Sequence, residues 1–322
     1  MPGLHSTDDS DFKIIRIQKL HQTFGAQVSG VDFSNPIPDE TFDEILAAIT
    51  KYGVLVFRST ALDDNGHVEF ARRFGELDDI KTYIAAGRKN RLASDELFDV
   101  SNVNLDGTVV DPESPKGQAN KGNGIFHVDS SFNPRRASYS LLLAHELPPR
   151  GTGGNTAFAD TRRAFDDLPQ TLKEDLLRND YIVNHSLAQS QNLGAPDFFA
   201  KRNPSDYPMA RHRLVQIHEP SGEMNLYTAA HAHHIEGIKT ESSKELLDRL
   251  FEHATQPKYI FEVEWENVGD LVTWDNTCVM HRAIGGSFEG RYKRDVRRAT
   301  VHDGSSQAWG LNEHTDKRYG FP

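Results

Sequence analysis

Apolar positions along the chain change period repeatedly between residues 12 and 303. "FKIIRIQKL" (12–20) alternates apolar and polar residues, the period of a half-buried strand. "PDETFDEILAAITKYG" (38–53) spaces its apolar residues helically, starts with acids and ends at Gly53, which predicts a helix with a glycine C-cap. "VLVFRS" (54–59) is a continuous apolar, β-rich run and predicts a buried strand. "DDNGHVEFARRFGEL" (63–77) opens on cap-like residues and continues as an amphipathic helix.

Further on, "ASYSLLLAHEL" (137–147) and "TAFAD" (156–160) predict strands separated by the turn "PPRGTGGN". Residues 161–180 predict a helix interrupted at Pro169, 213–228 a strand–turn–strand, and 241–256 a capped helix. Two strands flank "NVGD" within 258–276, and "KRDVRRATVHD" (293–303) predicts a last strand. Residues 104–124, dense in Gly, Pro, Asn and Asp, and the polar stretch 186–211 read as long loops; long loops in compact domains carry function or stay disordered. Residues 1–12 read as a flexible tail, 13–303 as one domain without an internal linker, and 304–322 as a C-terminal tail. Many strands with few helices imply a mainly β fold, an antiparallel core with peripheral helices.

Composition narrows the function classes. The 322 residues carry a formal net charge of −11, which opposes binding to nucleic acid or an anionic membrane. The single cysteine, Cys278, excludes an intrachain disulfide and a cysteine-based zinc finger. No apolar h-region opens the sequence and no apolar run approaches a membrane span, so the expected location is cytoplasmic.

The chemistry concentrates in "GIFHVDSSF" (124–132). On a strand, residues two apart face the same way, so His127 and Asp129 point together. With a second histidine they would make the two-His, one-carboxylate cage that binds non-haem iron(II) and leaves positions open. The same pair could also be ordinary hydrogen-bonded neighbours. His281, after "LVTWDNTCVM", can reach back as third ligand or serve as a structural histidine. In the last strand Arg294, Val296, Arg298 and Thr300 share one face. Inward arginines require anions, which their planar forks clamp bidentately; the other reading is a solvated basic edge.

The segments "GVLVFRS", "FARRFGEL", "FHVDSSF", "GTGGNTAFAD", "HHIEG", "LFEHATQ", "GDLVTWDNTCVMHR" and "RRATV" span about residues 13–303. In that order they resemble the taurine/2,4-dichlorophenoxyacetate dioxygenase family of iron(II)- and 2-oxoglutarate-dependent enzymes, nearer its 2,4-dichlorophenoxyacetate branch. The resemblance implies a double-stranded β-helix (jelly roll, cupin-like) with His127, Asp129 and His281 as iron ligands. It implies that Thr156 and Arg294 hold the distal carboxylate of 2-oxoglutarate, the co-substrate consumed with O2. Arg298 would hold the acidic head of a small anionic organic substrate, and Ser131 and His218 would line its pocket. The implied reaction hydroxylates a C–H bond of an aryloxyacetate-like or natural aryl or alkyl acid, releasing succinate and CO2; a homo-oligomer is compatible with it.

Three alternatives stay open at this level. A sulfonate dioxygenase would release sulfite, a degenerate family member would bind metal without turnover, and a zinc hydrolase could use the same three ligands. His231, His233 and His234 in "HAHHIEG" form a second histidine cluster, read as a pocket wall or surface turn rather than a metal site.

Overall fold

The computed structural model describes residues 11–87 and 89–319. Most of the expected N-terminal tail therefore lies outside the described residues, while Phe12 already packs against the core.

The main element is a seven-stranded sheet. Its order is Arg16–Lys19, Ala26–Ser29, Val54–Phe57, Leu271–Asp275, Ala137–Glu146, Asp295–His302, Leu97–Asp99. All its pairings are antiparallel except Ala26–Ser29 with Val54–Phe57. Facing it is a three-stranded antiparallel sheet of Ile260–Val263, Thr156–Asp160 and Val279–Ala283. Two further antiparallel sheets, of two and three strands, complete a mixed α/β architecture rich in β structure.

Side-chain alternation explains the layering. Leu141 and Leu143 point to one side of the large sheet, joining Ile45, Ile49, Val68 and Phe70 of the helices Asp39–Tyr52 and Asp64–Arg72. Leu142 and Ala144 point to the other side, where Val272, Trp274 and Val296 meet Phe158, Phe261 and Val279 of the small sheet. On the back of the small sheet, Ala157, Ala159 and Met280 join Leu247 and Leu250 of the helix Thr240–Ala254. The apolar layer between the sheets is interrupted at one end by polar residues, and that end holds the site.

Local expectations meet specific outcomes. Gly53 caps its helix at φ 68°, in the left-handed region open to glycine, and its N–H reaches Ile49 O at 2.7 Å. Pro169 separates the helices Thr161–Asp166 and Gln170–Asn179. Both segments read as loops contain helix. Pro115–Asn120 starts with Ser114 accepting Gly117 N–H at 3.1 Å and proline in its first turn; Leu187–Gly194 follows in the second segment. Their glycines and asparagines hide a helical pattern that packing supports. The C-terminal segment is also laid against the body, with Ala308 buried.

Candidate functional site

His127 and His281 come together through the backbone. They face each other in an antiparallel bridge, His127 N–H donating to His281 O at 2.9 Å and His281 N–H to His127 O at 2.8 Å. Their rings lie 4.2 Å apart, and Asp129 Oδ2 is 3.7 Å from His281 Nε2. One donor atom from each of the three residues lies within 4.8 Å of the others, and all three residues are buried.

The donor chemistry suits a divalent cation. His127 Nδ1 lies 2.8 Å from Ile125 O, so its proton belongs there and Nε2 keeps a free lone pair. Burial favours the neutral imidazole for both His127 and His281. Burial opposes the charge of Asp129, but the Arg298 guanidinium beside it, together with the Ser140 hydroxyl, outweighs burial and holds its pKa below the usual carboxylate value. The site thus offers two neutral nitrogens and one carboxylate, the donor set iron(II) takes.

Other residues aim the carboxylate. Ser140 Oγ donates to Asp129 Oδ2 at 2.7 Å. Asn276 accepts Asp129 N–H at 3.0 Å and Trp274 Nε1–H at 3.0 Å through Oδ1, while its Nδ2 donates to Ser140 Oγ at 2.9 Å. Sequence reasoning passed over both residues. A signal for Ser140 existed: it is a polar residue on the inward face of the apolar run "SLLLA".

Arg294 and Thr156 also meet. Arg294 is buried; its Nε donates to Gly154 O at 2.9 Å and its Nη2 lies 3.5 Å from Thr156 Oγ1. Trp265 Nε1 donates to the same hydroxyl at 3.3 Å, and the guanidinium lies 5.8 Å from the Trp265 ring. Trp265 had no signal in the sequence. Among the described residues no carboxylate pairs with Arg294, and burial pulls its pKa down to about 10. Its charge is met only by the Gly154 carbonyl and the Thr156 hydroxyl, a costly arrangement for a buried cation. A cavity of about 270 Å³ opens beside it, walled by Val100, Val110, Ile284 and Phe288 with Lys121 at the edge.

The remaining expected residues fall differently. Arg298 contacts Asp129 Oδ1 and donates to Thr300 Oγ1 at 3.0 Å, so in this structure it faces an acid of the chain itself. Ser131 is buried behind the Asp129 turn with its hydroxyl unpartnered. His218, expected to line the pocket, has both nitrogens engaged: Nδ1 meets Ser221 Oγ at 2.6 Å and Nε2 meets Asp275 Oδ2 at 3.0 Å, so neither is left to bond a ligand. The histidine cluster divides: His231 lies edge-on to His127 at 5.7 Å, while His233 and His234 contact each other at 2.8 Å through Nδ1.

No described helix is long and apolar enough to cross a membrane. The model of the "Taurine catabolism dioxygenase TauD, TfdA family" matches residues 16–300. The chain is 37% identical over 298 residues to the alpha-ketoglutarate-dependent 2,4-dichlorophenoxyacetate dioxygenase of Burkholderia sp. (strain RASC), covering 89% of this chain and 94% of that protein. It is 38% identical over 291 residues to the enzyme of the same name from Cupriavidus pinatubonensis (strain JMP 134 / LMG 1197), covering 88% and 96%. The crystal structure of AAD-2 in complex with Mn(II) and N-oxalylglycine superposes with a TM-score of 0.79 at 35% identity, covering 90% of this chain and 98% of that one. The chain therefore belongs to the TauD, TfdA family and is an iron(II)- and 2-oxoglutarate-dependent dioxygenase.

Proposed function

We propose that this dioxygenase hydroxylates a C–H bond of a small carboxylate-bearing substrate, aryloxyacetate-like or a natural aryl or alkyl acid, with release of succinate and CO2. In this reading the two facing sheets are the halves of a jelly roll. His127, Asp129 and His281 hold iron(II), which when bound supplies the oxygen chemistry. Thr156 and Arg294 take the distal carboxylate of 2-oxoglutarate, with the Thr156 hydroxyl and guanidinium as donors. The observation that carries the reading is Arg294: a buried guanidinium without an acid partner among the described residues, beside the Thr156 hydroxyl on the strand that pairs with the one carrying His281.

The chain's other residues have definable tasks. Ser140 and Asn276 fix the direction of the Asp129 carboxylate. The apolar walls Val100, Val110, Ile284 and Phe288 favour an apolar body in the cavity. A cation at Asp129 would take up the carboxylate's charge and release Arg298 toward the acid of the substrate. The sequence of the two 2,4-dichlorophenoxyacetate dioxygenases supports an aryloxy acid over a sulfonate.

The test is anaerobic addition of iron(II) and then 2-oxoglutarate, followed by visible absorption. A new charge-transfer band is expected. Iron-loaded protein that gives no band with the keto acid overturns the site assignment. With air and a panel of aryloxyacetates, alkyl acids and alkylsulfonates, succinate should rise with hydroxylated product or its phenol; succinate coupled only to sulfite would overturn the carboxylate assignment.

A further inference from the structure

The turn that follows Asp129 is held from outside. Ser130 adopts φ 57°, a left-handed conformation that a non-glycine residue keeps only when its surroundings impose it. Asn133 N–H closes the turn on Ser130 O at 3.0 Å, and Asn133 is fully buried. What covers this turn is the C-terminal segment, beyond residue 300 where the family match ends.

That segment attaches at successive points. Arg136 N–H donates to Ala308 O at 3.0 Å, and Asn312 Nδ2 donates to Pro134 O at 3.2 Å. Tyr319 N–H donates to Asn133 Oδ1 at 3.0 Å. Gly310 runs so close to a neighbouring strand that an added Cβ would sit 2.3 Å from Arg211 O. Arg318 pairs with the buried carboxylate of Asp78. Asp78 N–H in turn donates to Thr300 O at 2.8 Å, and Thr300 Oγ1 accepts from Arg298, which contacts Asp129. The segment therefore reaches Asp129 from two directions, through the turn at Asn133 and through the strand carrying Arg298.

We propose that Trp309–Tyr319 is a positioning strap for the metal site, in which Tyr319 and Arg318, acting through Asn133 and Asp78, set where the Asp129 carboxylate lies. The proposal rests on the reading of Asp129 as a metal ligand. Outer partners that hydrogen-bond a ligand change metal affinity by about 10–100-fold when lost; the strap acts further out, through Asn133 and Asp78, so its effect falls at the low end of that range.

The test measures Mn(II) affinity by electron paramagnetic resonance on the full chain, a chain ending at His314, Arg318→Ala, Arg318→Lys and Asp129→Ala. All are read well below their melting temperatures. The shortened chain and Arg318→Ala should bind Mn(II) about tenfold more weakly, and Arg318→Lys, which keeps a cation beside Asp78, should recover most of that loss. Hydrogen exchange should rise at residues 130–133 and stay unchanged in the strand Val54–Phe57. A strap that only added global stability would lower the melting temperature and leave affinity and local exchange alone. Affinity within twofold of the full chain in both strap variants, while Asp129→Ala loses it, overturns the strap alone. Equal binding by the full chain and Asp129→Ala overturns the metal-site reading and the strap's role with it.

Discussion

Two buried clusters in this molecule look alike by donor count and behave oppositely. His127, Asp129 and His281 form one; His218, Asp275 and Cys278 form the other, and each brings three donor atoms within 4.8 Å. In the first, His127 Nε2 is free and the Asp129 carboxylate is aimed by Ser140, while Arg294, without an acid partner among the described residues, lines a cavity that Ala283 and Ile284 also wall, two and three residues after His281. In the second, Ser221 and Asp275 occupy both nitrogens of His218, and Thr277 occupies Asp275 Oδ1 through N–H at 2.8 Å and Oγ1 at 2.6 Å. Burial raises the pKa of the Cys278 thiol, which keeps it protonated, although nearby Arg162 and His218 pull the other way. Convergent donors make a metal site only when their lone pairs are uncommitted; a closed set makes a structural ion pair.

Substitution separates the two. Asp129→Ala should lower coupled succinate formation by more than about 100-fold, above the loss typical of outer partners, with loss of Mn(II) binding. Unchanged turnover would break the contrast at its root. Asp275→Ala should instead leave Mn(II) affinity intact and destabilise the fold by about 3–5 kcal/mol, because His218 is left buried and uncompensated; urea unfolding measures this. Arg294→Ala should raise the KM for 2-oxoglutarate by about 10- to 100-fold, the value of a charge-assisted hydrogen-bond pair, with little effect on urea stability because the guanidinium has no acid partner to lose.

The smallest effect is in pH. Burial opposes the His218 charge, but the ionised Asp275 carboxylate 3.0 Å from its Nε2 outweighs it and raises its pKa above the ordinary 6.5. Just above that value the folded chain holds a proton that the unfolded chain releases. The stabilisation from this pair is therefore complete below pH 6.5 and falls as pH rises above it. His218→Gln should flatten that part of the stability profile without moving metal affinity. A profile equally steep in the variant would remove His218 from the account.

Much of the first cluster could be read before folding, and little of the second. His127 and Asp129 stand two residues apart on an extended segment, so their shared direction follows from strand geometry. Arg294 and Arg298 were visible in the same way, whereas Thr156 was singled out only by the family resemblance. Trp265, Ser140 and Asn276 act through contacts with residues 109, 11 and 147 positions away, and no local period encodes those. His218 lies in a short strand with the same appearance as a pocket residue; only its pairing with Asp275 shows that it is sealed. The helices in 104–124 and 186–211 were missed because Gly, Pro and Asn outweighed a helical period too short to register. The C-terminal segment is polar, and its attachment depends on backbone groups that any sequence carries.

By itself the sequence determined the residue types and their local directions: which strands alternate, which helices are capped, and which His, Asp and Arg could act together. It did so because strand and helix periods are short-range properties of the chain. Tertiary structure alone decided which polar groups are left without partners. That depends on what is packed opposite each one, so Arg294 has no acid partner among the described residues, His218 is closed, and the Asp129 turn is held by a segment more than a hundred residues away.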